Sequence, residues 1–151
     1  MKKLIVTLLT VLTLAFSANC FAAGVAGDFS KQEKAADLLV SALTGGTATY
    51  TQVSGNFNAD LKKAFNEQTF AEMQKQVKAQ VGRIKDATFV DYKKGFDLQK
   101  GYNGVSEMIY IGKVGGNKYA QINVLFGEEK GKPAIVNFVI NPFEVNPQPA
   151  K

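Results

Sequence analysis

Apolar positions fall along this chain in three regimes: an unbroken run, then steps of three and four, then alternation. The unbroken run is residues 4–16, "LIVTLLTVLTLAF", uncharged and preceded by Lys2 and Lys3. Helical spacing begins after Ser30-Lys31-Gln32-Glu33, a capping box with Ser30 as N-cap and Glu33 reaching back. Ala35, Leu38, Leu39, Ala42 and Leu43 then share one helix face, and Gly45-Gly46 ends it. Residues 47–56 read as a polar connector carrying Tyr50 and Val53. Asn58 is placed to cap a short helix through Leu61, Ala64 and Phe65. A longer helix follows to Val81, with Thr69-Phe70-Ala71-Glu72 as a second capping box. Phe70, Met73, Val77 and Val81 form its stripe, and Gly82 stops it.

Beyond Gly82 the period becomes two. Strands are predicted over residues 84–92, 105–114, 118–126 and 133–140, with a looser link at 97–103 and turns at Gly115-Gly116-Asn117 and 127–131. Pro133 suits only a strand start. In the third strand Ala120, Ile122, Val124 and Phe126 oppose Tyr119, Gln121, Asn123 and Leu125. In the fourth, Val136, Phe138 and Ile140 oppose Ile135, Asn137 and Val139. The first set of each pair is the expected core face. Helices first and then an antiparallel meander define an α+β domain, with N-terminal helices packed on one face of a curved four-stranded sheet.

The unbroken run changes the domain plan. With its short basic start and the small residues after it, residues 1–22 read as a secretory signal peptide. It is shorter than the roughly 20 apolar residues that span a bilayer, so no stable membrane anchor is expected. Cutting after Ala22 puts Ala22 and Cys20 at the two positions that require small residues and discards Cys20, the only cysteine. The rival use of Cys20, as a lipid attachment point, is poorly served by Asn19 directly before it. The expected plan is a signal peptide over 1–22, a mature N-terminal segment over 23–28, the domain over 29–141 and a proline-containing tail over 142–151 that leaves the domain. An extracytoplasmic location, periplasmic or secreted, follows.

Composition then narrows the chemistry. The formal charge of +5 falls to +3 without Lys2 and Lys3, and the charges are scattered. Arg83 is the only arginine. Lysine-rich surfaces without arginine forks do not favour nucleic-acid recognition, and no nucleic-acid partner is expected. The chain has no histidine, which removes His-based triads and the commonest metal ligand. No metal site, cofactor or catalytic residue is assigned. The glycine-rich stretch at 112–116 lies between strand patterns and reads as a hairpin, not as a phosphate loop.

Leu38-Leu39, Gly45-Gly46, Tyr50, Phe57, Leu61, Phe70, Met73, Val77 and Gly82-Arg83-Ile84 stand in an order that resembles the nuclear-transport-factor-2-like, cystatin-like superfold. The nearer resemblance is to small bacterial extracytoplasmic domains of unknown function. It covers residues 29–140 and implies helices closing a cone over a curved sheet. The superfold hosts enzymes, binders and dimerisation modules alike. Its enzymes place carboxylate, Tyr or His groups in the cone; Asp91, Glu107, Tyr102, Tyr110 and Tyr119 are the groups available here. The cystatin inhibitory pattern Gln-x-Val-x-Gly is not met, because Gln121 to Gly127 has those residue types at another spacing.

Two functions compete. A non-enzymatic accessory domain would bind a small apolar ligand in a cone lined by Phe57, Phe65, Phe70, Met73, Phe89 and Phe138, unless those side chains simply fill the core. An interaction module would use the outer sheet face, through Tyr119, Leu125, Ile135 and Val139, joined by Ile109 or Ile111. Its partner would be another protein or a second copy, as the resemblance also implies through sheet-face dimers. The competing use of that face is cover by the protein's own tail, with Phe143 and Val145 lying across it.

Overall fold

The computed structural model describes residues 29–146; the predicted signal peptide with Cys20, the mature N-terminal segment over 23–28 and the last five residues lie outside them. Four helices precede four strands: α1 (Phe29–Leu43), α2 (Tyr50–Ser54), α3 (Ala59–Ala64), α4 (Glu67–Gln80), β1 (Lys85–Asp97), β2 (Gly101–Gly115), β3 (Lys118–Glu129) and β4 (Lys132–Glu144). The strands form one antiparallel sheet in the order β1-β2-β3-β4. The result is the expected α+β domain, with helices packed on one face of a curved sheet.

Side-chain capping explains where the helices begin. α1, already helical at Phe29, is the exception: Ser30 lies within the helix and is not its N-cap. It ends where Gly45 adopts φ +83°, a conformation that costs glycine little. α2 was not anticipated, since the polar connector showed no apolar period. Its start is nevertheless a capping box: Gln52 N–H donates to Thr49 Oγ1, and Thr49 N–H donates to Gln52 Oε1. Asn58 caps α3 as expected, its Oδ1 accepting from Leu61 N–H at 2.9 Å. α4 is capped by Asn66, whose Oδ1 accepts from Thr69 N–H. Thr69 is thereby drawn into the first turn, where its hydroxyl donates to the Asn66 carbonyl at 3.0 Å.

On the sheet, Met108 and Tyr110 of β2, Ala120, Ile122, Val124 and Phe126 of β3, and Ile140 of β4 are buried with Leu39 of α1, Val53 of α2, Leu61 of α3 and Phe70 of α4. Gly112 lies on the same face, where a Cβ would come within 2.3 Å of Ile84 Cγ2. Three features depart from simple alternation. β1 and β2 run further than predicted, so the loose link shrinks to residues 98–100. The chain does not leave the sheet at Asn141: β4 continues to Glu144, pairing Pro142 with Ala120, Phe143 with Tyr119 and Glu144 with Lys118.

The third departure is a bulge in β4. Leu125 pairs with Asn137 but Phe126 pairs with Ile135, leaving Val136 as the extra residue. One extra residue reverses the facing of everything before it. Ile135 therefore turns inward beside Phe126 and is 0% exposed, which corrects its assignment to the outer face. The Phe57–Ile135 bridge fixes the position further: Ile135 N–H donates to Asn56 O at 2.7 Å, and Asn58 N–H donates to Ile135 O at 2.9 Å.

Candidate functional site

The predicted cone-lining residues separate into two aromatic groups. At the α2–α4 end, Phe57 stacks on Phe138 at 6.3 Å between ring centroids and meets Phe70 at 6.4 Å. Phe65 lies 5.5 Å from Phe138, and Tyr50 lies 5.7 Å from Phe70. The Tyr50 hydroxyl donates to the Phe65 carbonyl, tying α2 to the end of α3. Met73 packs against the core one turn beyond Phe70. Phe89 belongs to a second group, edge-on to Phe29 and Tyr110, with Tyr92 also edge-on to Phe29. Within each group the rings fill space against one another, as close-packed interiors do.

Between α1 and the sheet lies a polar pocket that sequence reasoning missed. Gln32 is 2% exposed; its Nε2 donates to Ser106 Oγ at 2.9 Å, and its Oε1 accepts from the Tyr92 hydroxyl at 3.1 Å. A glutamine at that position on an otherwise apolar helix face was the available signal. The adjoining hollow, lined by residues including Gln32, Tyr102, Gly127, Glu128 and Lys132, has a volume of about 10 Å³. That is room for roughly one water, whereas small-molecule sites run to about 300 Å³ or more. Burial raises the pKa of the Tyr102 phenol, and the nearby Tyr92 and Glu128 act in the same direction. A neutral phenol there is a hydrogen-bonding group and a poor base. Tyr110 is also held protonated, first by burial and then by donating its proton to Asp37 Oδ1 at 2.8 Å.

The outer face is of a different kind. Strand register places Glu107, Ile109 and Ile111 of β2 opposite Leu125, Asn123 and Gln121 of β3. Those three residues are opposite Asn137, Val139 and Asn141 of β4. At its centre Gln121 donates to Asn123 Oδ1 at 2.8 Å, and Asn123 donates to Glu107 Oε1. Around this ladder stand Ile109, Ile111, Leu125 and Val139, and Tyr119 stacks on Phe143 at 5.7 Å. Phe143 is thus a strand residue that enlarges the face. It is not a loose tail lying across it. Tyr119, Leu125 and Val139 stand where the alternation put them; Ile135 does not.

The groups available for chemistry are also parted by the sheet. Asp91, Glu107 and Tyr119 are on the outer face, paired with Ile109, Lys93 and Lys113 respectively. Tyr110 faces the helices, and Tyr102 borders the hollow. Among the described residues, no three of His, Cys, Asp and Glu group closely enough to hold a metal. No described helix is long and apolar enough to cross a membrane. The chain matches no family model, no curated protein and no solved structure. Fold and site therefore define it as an α+β domain with a packed helical side and a half-apolar sheet face that no described helix covers.

Proposed function

We propose that this protein is a non-enzymatic extracytoplasmic interaction domain whose outer sheet face pairs with a second copy of the chain. The observation that carries the reading is the composition of that face. Ile111, Leu125, Val139, Tyr119 and Phe143 surround an amide–carboxylate ladder, while all four helices pack on the other side. A two-fold contact requires a patch complementary to itself. Amides that both donate and accept, set among apolar side chains, meet that requirement. Face pairing is also favoured over edge pairing. β4 carries Pro133, Pro142 and a bulge and is bridged by Phe57, while β1 has three register shifts, the features that blunt sheet edges. The resemblance to sheet-pairing members of the cystatin-like superfold leans the same way.

Sedimentation velocity of the purified protein tests the proposal. The wild type is expected as a dimer, and Leu125→Lys as a monomer with an unchanged circular dichroism spectrum. A wild-type protein that remains monomeric at high micromolar concentration, or a Leu125→Lys dimer, would refute it.

A further inference from the structure

The far end of the β1–β2 hairpin projects beyond the packed core and carries apolar side chains that nothing described covers. Leu98 is 95% exposed and Phe96 67% exposed. The apex is nevertheless ordered by its own hydrogen bonds. Asp97 Oδ1 accepts from the backbone N–H groups of Gln99 at 2.8 Å and Lys100 at 2.9 Å. That is an aspartate-centred turn, and it holds Leu98 outward at the apex. Lys94 and Lys100 flank it, with Lys94 Nζ 5.6 Å from the Tyr102 ring centroid. The acidic groups nearby are already engaged: Asp97 by the turn, and Asp91 by Lys93 at 3.9 Å.

We propose that this hairpin apex docks reversibly on an anionic phospholipid surface, with Leu98 and Phe96 entering the interface and Lys94 and Lys100 meeting the phosphates. The residue types favour lipid over protein. Protein interfaces concentrate energy in Trp, Tyr and Arg anchors seated in pockets. Here an aliphatic and an aromatic side chain project outward, ringed by lysines whose long stems let ammonium groups stay in the headgroup layer. The charge is complementary as well: residues 94–100 hold two lysines against Asp97 alone, whose Oδ1 is taken up by the turn. Two apolar side chains and two charges make a peripheral contact, and no spanning segment is required.

The chain contains no tryptophan, so Leu98→Trp installs a single emission reporter at the apex. Phosphatidylcholine vesicles containing one-quarter phosphatidylglycerol should shift its emission to the blue and make it quenchable by brominated lipid; pure phosphatidylcholine should do so far less. Lys94→Gln and Lys100→Gln should each weaken partitioning roughly fivefold. Phe96→Ser should weaken it about tenfold or more with an unchanged melting temperature. An apex tryptophan whose emission ignores anionic vesicles overturns the proposal, whatever else in the chain attaches. So does a blue shift that depends only on protein concentration, which would make the apex a protein contact. Leu125→Lys should leave the vesicle signal intact, so this proposal and sheet-face pairing can fail separately.

Discussion

Along β3 the same twelve residues live in two environments. Ala120, Ile122, Val124 and Phe126 are sealed beneath the helices, whereas Tyr119, Gln121, Asn123 and Leu125 are half-buried on a face that no described helix covers. The inner set is purely apolar and tolerates no gap. The outer set mixes apolar side chains with amides that bond to one another. Burial on the inner side is complete because four helices supply the partners. On the outer side, among the described residues, each side chain is covered only by its strand neighbours. The difference separates what the domain needs to fold from what it offers for contact.

Neighbouring residues of β3 give the sharpest way to break this comparison. Phe126→Ala is expected to destabilise by about 3–5 kcal/mol through lost burial and a residual cavity, whereas Leu125→Ala next to it should cost about 1 kcal/mol or less. Denaturant unfolding of the two variants measures the gap, and equal losses would mean the two faces are equally structural. Gly112→Ala should cost about 1–3 kcal/mol, because its new methyl meets Ile84 Cγ2 at 2.3 Å. Pairing it with Ile84→Ala should recover part of that loss, a recovery that backbone strain at Gly112 would not permit.

A titration probes the tie between α1 and the inner face. The folded pKa of Tyr110 lies above its ordinary value of 10.0, so the folded state holds the proton longer than the unfolded one. The stabilisation from this difference is fully present below pH 10 and is lost as pH climbs towards the folded pKa, with a limiting slope of about 1.4 kcal/mol per pH unit. Tyr110→Phe should flatten that part of the stability curve relative to the wild type between pH 10 and 11. The smallest expected effect is at α2. Thr49→Ala removes one side of its capping box and should cost about 1 kcal/mol, seen as faster amide exchange at Gln52 with the outer face unaffected.

Much of the arrangement was legible because it is local. The steps of three and four marked α1 and α4, Asn58 announced α3, and alternation in β3 assigned Tyr119 and Leu125 to the outer face. α2 was legible in principle through Thr49-Tyr50-Thr51-Gln52, but five residues are too few to show a helical period. The capping box expected at Thr69 is not the cap of α4. Asn66 caps it, and Thr69 adds its hydroxyl to the first turn. The six residues expected to line one cone were chosen by type, and residue type carries no information on which rings meet. Their division into groups around Phe57 and Phe89 depends on where the helices cross the sheet.

By itself the sequence determined three of the four described helices, the order of the four strands, the change of period at Gly82 and the inner face of β3, because each depends on residues within a few positions of one another. Tertiary structure alone decided that Val136 bulges, that Ile135 turns inward and that Phe143 joins the sheet. Alternation counts residues along one strand, but facing is set by pairing with the next. Once Asn56 and Asn58 hold the Ile135 backbone on one side and Phe126 opposes it on the other, a single extra residue moves a predicted contact residue into the core.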